Sequence, residues 1–122
     1  MPQYMLLIYS PEERWEAAPE GEREAVLAEY GQLVGELQQR GAMRGGAQLQ
    51  PTSTATCVRV REGEPLVTDG PFAETKEQLG GYFLVQAESL DAALEWAEKI
   101  PTARAGTVEV RPIVERDGGR PE

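Results

Sequence analysis

Residues 69–85 read Asp-Gly-Pro-Phe-Ala-Glu-Thr-Lys-Glu-Gln-Leu-Gly-Gly-Tyr-Phe-Leu-Val, a dense set of chemically capable side chains. Asp69-Gly70-Pro71 must be a sharp turn. An aspartate ordinarily closes such a turn onto the N–H two residues ahead. Here that residue is Pro71, which has no N–H. The Asp69 carboxylate is left to reach the Phe72 N–H or to face a cleft. If 72–76 is extended, Phe72, Glu74 and Lys76 share one face. Glu74 and Lys76 then pair and, with Asp69, form a charged cluster. That cluster has the parts of a polar pocket. Asp69 and Glu74 are the candidate catalytic carboxylates, and Lys76 holds an anionic group. Phe72, Tyr82 and Arg44 complete the candidate ligand-binding set. The competing reading is an elaborate loop whose charges satisfy its own backbone. Carboxylates at Asp69, Glu74 and Glu77 without fixed ligand spacing make a poor cation site, so no metal and no cofactor are expected.

Composition excludes several classes. Histidine is absent from the 122 residues, which removes Ser-His-Asp and Cys-His nucleophilic machinery and His-ligated zinc. The one cysteine, Cys57, excludes an internal disulfide or a CxxC pair. It stands in an alternating run and reads as a buried small residue. Net charge is −9, with 3 basic and 8 acidic side chains in 11–40 and 2 and 6 in 73–100. A nucleic-acid binder needs a basic patch, and no segment is net basic. Direct binding to nucleic acid or an anionic membrane is therefore not expected. The N-terminal run Tyr4–Tyr9 is too short for a signal peptide and lacks a basic flank. No stretch approaches the length of a membrane span. Cytoplasm is the default compartment. Arg44, Arg59, Arg61 and Arg111 lie on or near strands and read first as solvated or ion-paired residues. Trp15, Tyr30 and Trp96 read as packing residues.

The elements that must position these groups follow from periodicity. Tyr4–Tyr9 is a buried strand. Ser10-Pro11-Glu12-Glu13 reads as a helix start with a serine cap and Glu13 completing a capping box; Pro19 and Gly21 cut that helix short. Residues 22–40 carry Val26, Leu27, Tyr30, Leu33, Val34 and Leu37 on one helical stripe, with Gly41 as the stop. Gly31 and Gly35 inside it cost about 1 kcal/mol each relative to alanine, a cost that close packing against another element would offset. An extended piece over 43–50, a strand over 54–61, a turn at Glu62-Gly63-Glu64 and a strand over 65–68 follow. Tyr82–Ala87 is a strand. Ser89 caps a helix over 90–100 whose inner face is Leu90, Ala93, Leu94, Ala97 and Ile100. Thr107–Val114 is the last strand. The order β-α-β-β-β-β-α-β, the short first helix omitted, predicts an α+β ferredoxin-like split βαβ sandwich. One domain spans 1–115, with a polar tail over 116–122. Helices on one face leave the other face of the sheet bare, so a homodimer is expected.

The string Asp69–Glu77 continuing to Gly80-Gly81-Tyr82, with Tyr4–Tyr9, Gly45-Gly46 and Val108–Pro112, closely resembles the DGPF family within the YCII-related superfamily of bacterial proteins. The resemblance covers about residues 3–115. It implies a dimeric α/β barrel, in agreement with the strand order. The family is largely uncharacterised, and many members are encoded beside or fused to sigma factors, which implies a sigma factor as partner. Some broader YCII relatives carry a His-Asp pair proposed as catalytic. Without a histidine that mechanism does not carry over, and Asp69 is only its acidic half. Three functions follow as expectations. The first is a small-molecule-binding or accessory module linked to sigma-factor-dependent transcription. The second is an enzyme using Asp69 or Glu74 in acid–base chemistry. The third is a protein-interaction module.

Overall fold

A computed structural model describes residues 1–116. Its elements are β1 (Gln3–Ser10), α1 (Glu12–Ala17), α2 (Glu20–Gln39), β2 (Met43–Gln48), β3 (Thr56–Arg61), β4 (Glu64–Asp69), β5 (Gln78–Gln86), α3 (Leu90–Glu98) and β6 (Thr107–Pro112). Short 3-10 turns stand at Thr52–Thr54 and Pro101–Arg104. Four strands form one antiparallel sheet in the order β2-β5-β1-β6. With a helix after β1 and another after β5, this is the expected ferredoxin-like α+β arrangement. The strands β3 and β4 do not join it. They form a separate two-stranded ribbon.

Alternation along β1 and β5 explains where the core sits. Tyr4, Leu6 and Ile8 of β1 and Phe83 and Val85 of β5 point to the helices, where they meet Leu33 and Leu37 of α2, Ala93 of α3 and Ile100. Leu6, Leu37, Val85 and Ile100 are essentially inaccessible. Burial at such positions stabilises by about 1.5–3 kcal/mol per large side chain. Residues of the opposite phase form a second, bare face. Across it Met5 pairs with Leu84 and with Arg111, and Leu7 pairs with Tyr82 and with Glu109.

Local signals hold at most boundaries. Gly41 ends α2 with φ +67°, and the Ala42 N–H donates back to the Leu37 carbonyl at 2.9 Å. The turn Glu62-Gly63 has φ of 51° and 78°, the twist a two-residue hairpin demands. The Ser89 hydroxyl accepts from the Ala92 N–H at 3.2 Å and caps α3.

Four expectations need correction. Ser10 does not cap α1, because it remains paired with Gln78 at the end of β1. The Glu12 N–H donates instead to Gln78 Oε1 at 2.9 Å, so the cap comes from another strand. Gly21 lies inside α2 rather than breaking it. Gly31 and Gly35 meet nothing: a Cβ at either would stand in open space. The inner face of α3 is narrower than its pattern, since Leu90 and Leu94 are exposed. The polar tail falls, from residue 117, outside the described residues.

Candidate functional site

A cleft of about 740 Å³ opens between α2 and the β2–β5 side of the sheet. One wall is the less buried part of the α2 stripe: Val26, Leu27, Tyr30 and Val34, of which Tyr30 and Val34 also pack against the core. Met43, Gly46 and Phe83 contribute from the sheet, and Trp15 of α1 closes one side. Gly46 is required there, because a Cβ would stand 2.9 Å from both the Phe83 ring and the Tyr82 carbonyl oxygen. Polar side chains border it as well, among them Glu12, Glu16, Gln48, Gln50 and Gln78. The Tyr30 hydroxyl and Thr102 Oγ1 lie 2.6 Å apart and share a hydrogen bond across the lining. Burial pushes the Tyr30 phenol above its ordinary pKa, with the bond to Thr102 acting in the opposite direction. The phenol is therefore neutral at pH 7, and its ring and hydroxyl form an apolar wall with one polar tip.

The rim is organised by Glu12. Its Oε1 accepts from the Thr52 N–H at 2.7 Å and its Oε2 from the Thr52 hydroxyl at 3.0 Å. Its own N–H donates to Gln78 Oε1 at 2.9 Å, while Gln78 Nε2 donates to the Thr75 carbonyl. Thr52 precedes the β3–β4 ribbon, and Gln78 follows the loop behind it. Glu12 thus clasps both roots of the 53–77 excursion and ties the Asp69–Lys76 motif to the cleft rim. The sequence shows Glu12 only as an acid in a helix first turn. Its partner is 40 residues away, and no local pattern announces it.

The motif itself is outward and open. Asp69 ends β4 opposite Thr56, exposed, with no hydrogen bond or ion pair among the described residues. Gly70, with φ +91°, makes the turn; its N–H donates to the Ala55 carbonyl at 2.7 Å and its carbonyl accepts from Cys57 Sγ at 3.3 Å. Residues 71–77 are irregular, with bends at 72–73 and 76–77 rather than an extended strand, so the expected shared face does not form. Glu74 and Lys76 are exposed and unpaired among the described residues, and Phe72 is 80% exposed. What orders the loop is Thr75, whose hydroxyl donates to the Glu77 carbonyl at 2.7 Å, together with Gln78.

Of the six candidates, Tyr82 alone belongs to the cleft lining. Alternation directs its ring to the bare face, across from Leu7. Arg44 donates to the Gly41 and Met43 carbonyls, at 2.9 and 3.0 Å, and to the Gln86 side chain, away from the motif. Within one chain the charged cluster of Asp69, Glu74 and Lys76 is not assembled. Trp15, read as a packing residue, lines the cleft, and Tyr30 both packs against the core as expected and lines the cleft.

The other arginines divide. Arg111 pairs with Glu109, whose second oxygen accepts from the Tyr9 hydroxyl at 3.3 Å. The Arg111 hydrogen bond holds the Glu109 carboxyl below its usual pKa. Arg59 has no ion-pair partner among the described residues, and Arg61 donates only to the Val60 carbonyl. Trp96 packs under cations, with Lys99 Nζ 4.9 Å and the Arg40 guanidinium 5.9 Å from its ring. No group of three or more metal-ligating side chains occurs among the described residues. No described helix is long and apolar enough to cross a membrane.

A split βαβ sandwich with one bare sheet face and a cleft under its longer helix defines a small α+β domain of the ferredoxin-like class. The YCII-related domain family matches residues 2–117, and the chain belongs to that family. An uncharacterised protein of Rhizobium meliloti (strain 1021) is 38% identical over 112 residues, covering 90% of each chain.

Proposed function

We propose that this YCII-related domain, of the DGPF branch, is a cytoplasmic small-molecule-binding module whose ligand enters the cleft beside α2. The observation that carries the reading is the cleft itself. Its volume, about 740 Å³, is that of a small-molecule site, and its exposed lining surface is mainly apolar, although Glu12, Glu16, Gln48, Gln50 and Gln78 also border it. The ligand class is an apolar or aromatic body with one hydrogen-bonding end, able to reach the Tyr30–Thr102 pair. The sigma-factor link implied by the DGPF resemblance would make the domain an accessory that senses such a compound. The protein acts as a homodimer. The bare sheet face supports this, since Met5, Leu7, Tyr82 and Leu84 form an apolar strip that one chain leaves half-buried. The enzymatic alternative, with Asp69 or Glu74 as base, has less support because neither carboxylate faces an enclosed space.

Trp15 is a built-in reporter, as it lines the cleft and Trp96 does not. In a Trp96→Phe background, aromatic and medium-chain aliphatic acids are screened by Trp15 fluorescence and thermal shift. A true ligand at 100 times its dissociation constant adds about 2.7 kcal/mol of stability. Val34→Trp, which puts an indole into the cleft beside Tyr30, is expected to abolish both signals. Hits that persist in Val34→Trp place binding elsewhere and overturn the reading.

A further inference from the structure

The β3–β4 ribbon has two faces of opposite chemistry. Register places Thr56, Val58 and Val60 with Pro65, Val67 and Asp69 on one face. Cys57, Arg59 and Arg61 share the other with Glu64, Leu66 and Thr68. The first face is apolar along its centre, yet Val58 is 65%, Val60 61% and Val67 66% exposed. Alternation of this kind specifies a face that is buried. A two-stranded ribbon alone is marginal in water, and among the described residues this one has no extensive contact with another element of its own chain.

We propose that the ribbon is an arm that lays this apolar face on a second copy of the chain and carries Asp69 into the interface. The inference rests on the homodimer reading and goes beyond it. Each copy carries two apolar surfaces open to a partner, the exposed ribbon face and the half-buried sheet strip of Met5, Leu7, Tyr82 and Leu84. A single twofold axis satisfies both on both copies. Area supports the same occupant. At strand and residue spacings of about 4.8 and 3.4 Å, the sheet face projects about 400 Å² and the ribbon about 200 Å². A standard interface takes about 800 Å² of accessible surface per partner. The sheet alone falls short of that, and sheet and ribbon together reach it once side-chain relief is counted.

Asp69 lies on the docking face, next but one to Val67. Its site is then formed by two chains, which explains why one chain leaves the motif unassembled. If its carboxylate is buried there, the partner must supply a cation or hydrogen-bond donors. Arg44, on the sheet edge, holds Gln86 and backbone carbonyls and no carboxylate.

The test is the mass in solution by sedimentation equilibrium, with Val58→Glu/Val67→Glu on the docking face and Thr68→Glu on the opposite face. Wild type and Thr68→Glu are expected at about 27 kDa, twice the chain mass of 13.4 kDa. The double variant is expected to raise the dimer dissociation constant at least 100-fold, with its circular dichroism retained. A double variant that dimerises like wild type overturns the arm while the dimer reading stands. A wild type of about 13 kDa at 100 µM removes both. If the double variant misfolds, hydrogen exchange of the unmodified protein decides. Ribbon amides protected at high concentration and released on dilution support the arm. Fast exchange at every concentration refutes it.

Discussion

Replacing Glu12 by alanine removes the acceptor that holds Thr52 by two hydrogen bonds, at 2.7 and 3.0 Å. A hydrogen bond to a charged group contributes about 1.5–3 kcal/mol when partly shielded. Water can reach Thr52 after the substitution, so the pair together is expected to cost about 2 kcal/mol. In a chain of this length that is a fall in Tm of about 8 °C. Part of any loss would come from removing a negative charge at the start of α1, worth about 0.3–1 kcal/mol. Glu13→Ala isolates that part, because Glu13 is also in the first turn and accepts no hydrogen bond among the described residues. Glu12→Gln keeps one carbonyl acceptor and should lose about half as much as Glu12→Ala. The assay is thermal and urea unfolding by circular dichroism, with hydrogen exchange read at Thr52 and Ala55. The reasoning is refuted if Glu12→Ala and Glu13→Ala are equally stable and the Thr52 amide exchanges as in wild type.

Gly31→Ala and Gly35→Ala should each stabilise the protein by up to about 1 kcal/mol, since the new methyl groups enter open space in a helix interior. A loss of stability that deepens with protein concentration would show that this face of α2 meets another chain. Tyr30→Phe removes the shared hydrogen bond with Thr102 and should cost about 1 kcal/mol at pH 7. The folded phenol titrates above its ordinary value of 10.0, so its contribution is intact below that pH and is lost as pH rises through the folded value. The stability gap between wild type and Tyr30→Phe, measured by urea unfolding from pH 7 to 11, should therefore narrow above about pH 10.

The elements were legible because each is written locally. The apolar run of β1, the stripe of α2, the turn at Glu62-Gly63 and the Ser89 cap are decided within a few residues, and their order implies the split βαβ topology. Absence of histidine, a lone cysteine and an acid excess are equally plain. The motif at 69–85 also stood out, and its turn formed where proline and glycine required it.

What sequence patterns alone could not decide were matters of distance between segments far apart in the chain. The α2 stripe does not reveal that Leu33 and Leu37 are buried in the core while Val26, Leu27, Tyr30 and Val34 are less buried and line a cleft. That division depends on how far the helix stands off the sheet. Nor does alternation in 56–69 say whether the ribbon joins the sheet or leaves it, since strand pairing is a nonlocal choice. Glu12 became a clasp because folding brought Thr52 and Gln78 to it, not because of its neighbours. The charges of the motif were expected to meet each other. The chain instead holds Asp69, Glu74 and Lys76 out in solvent, where hydration costs nothing and a partner has room to approach.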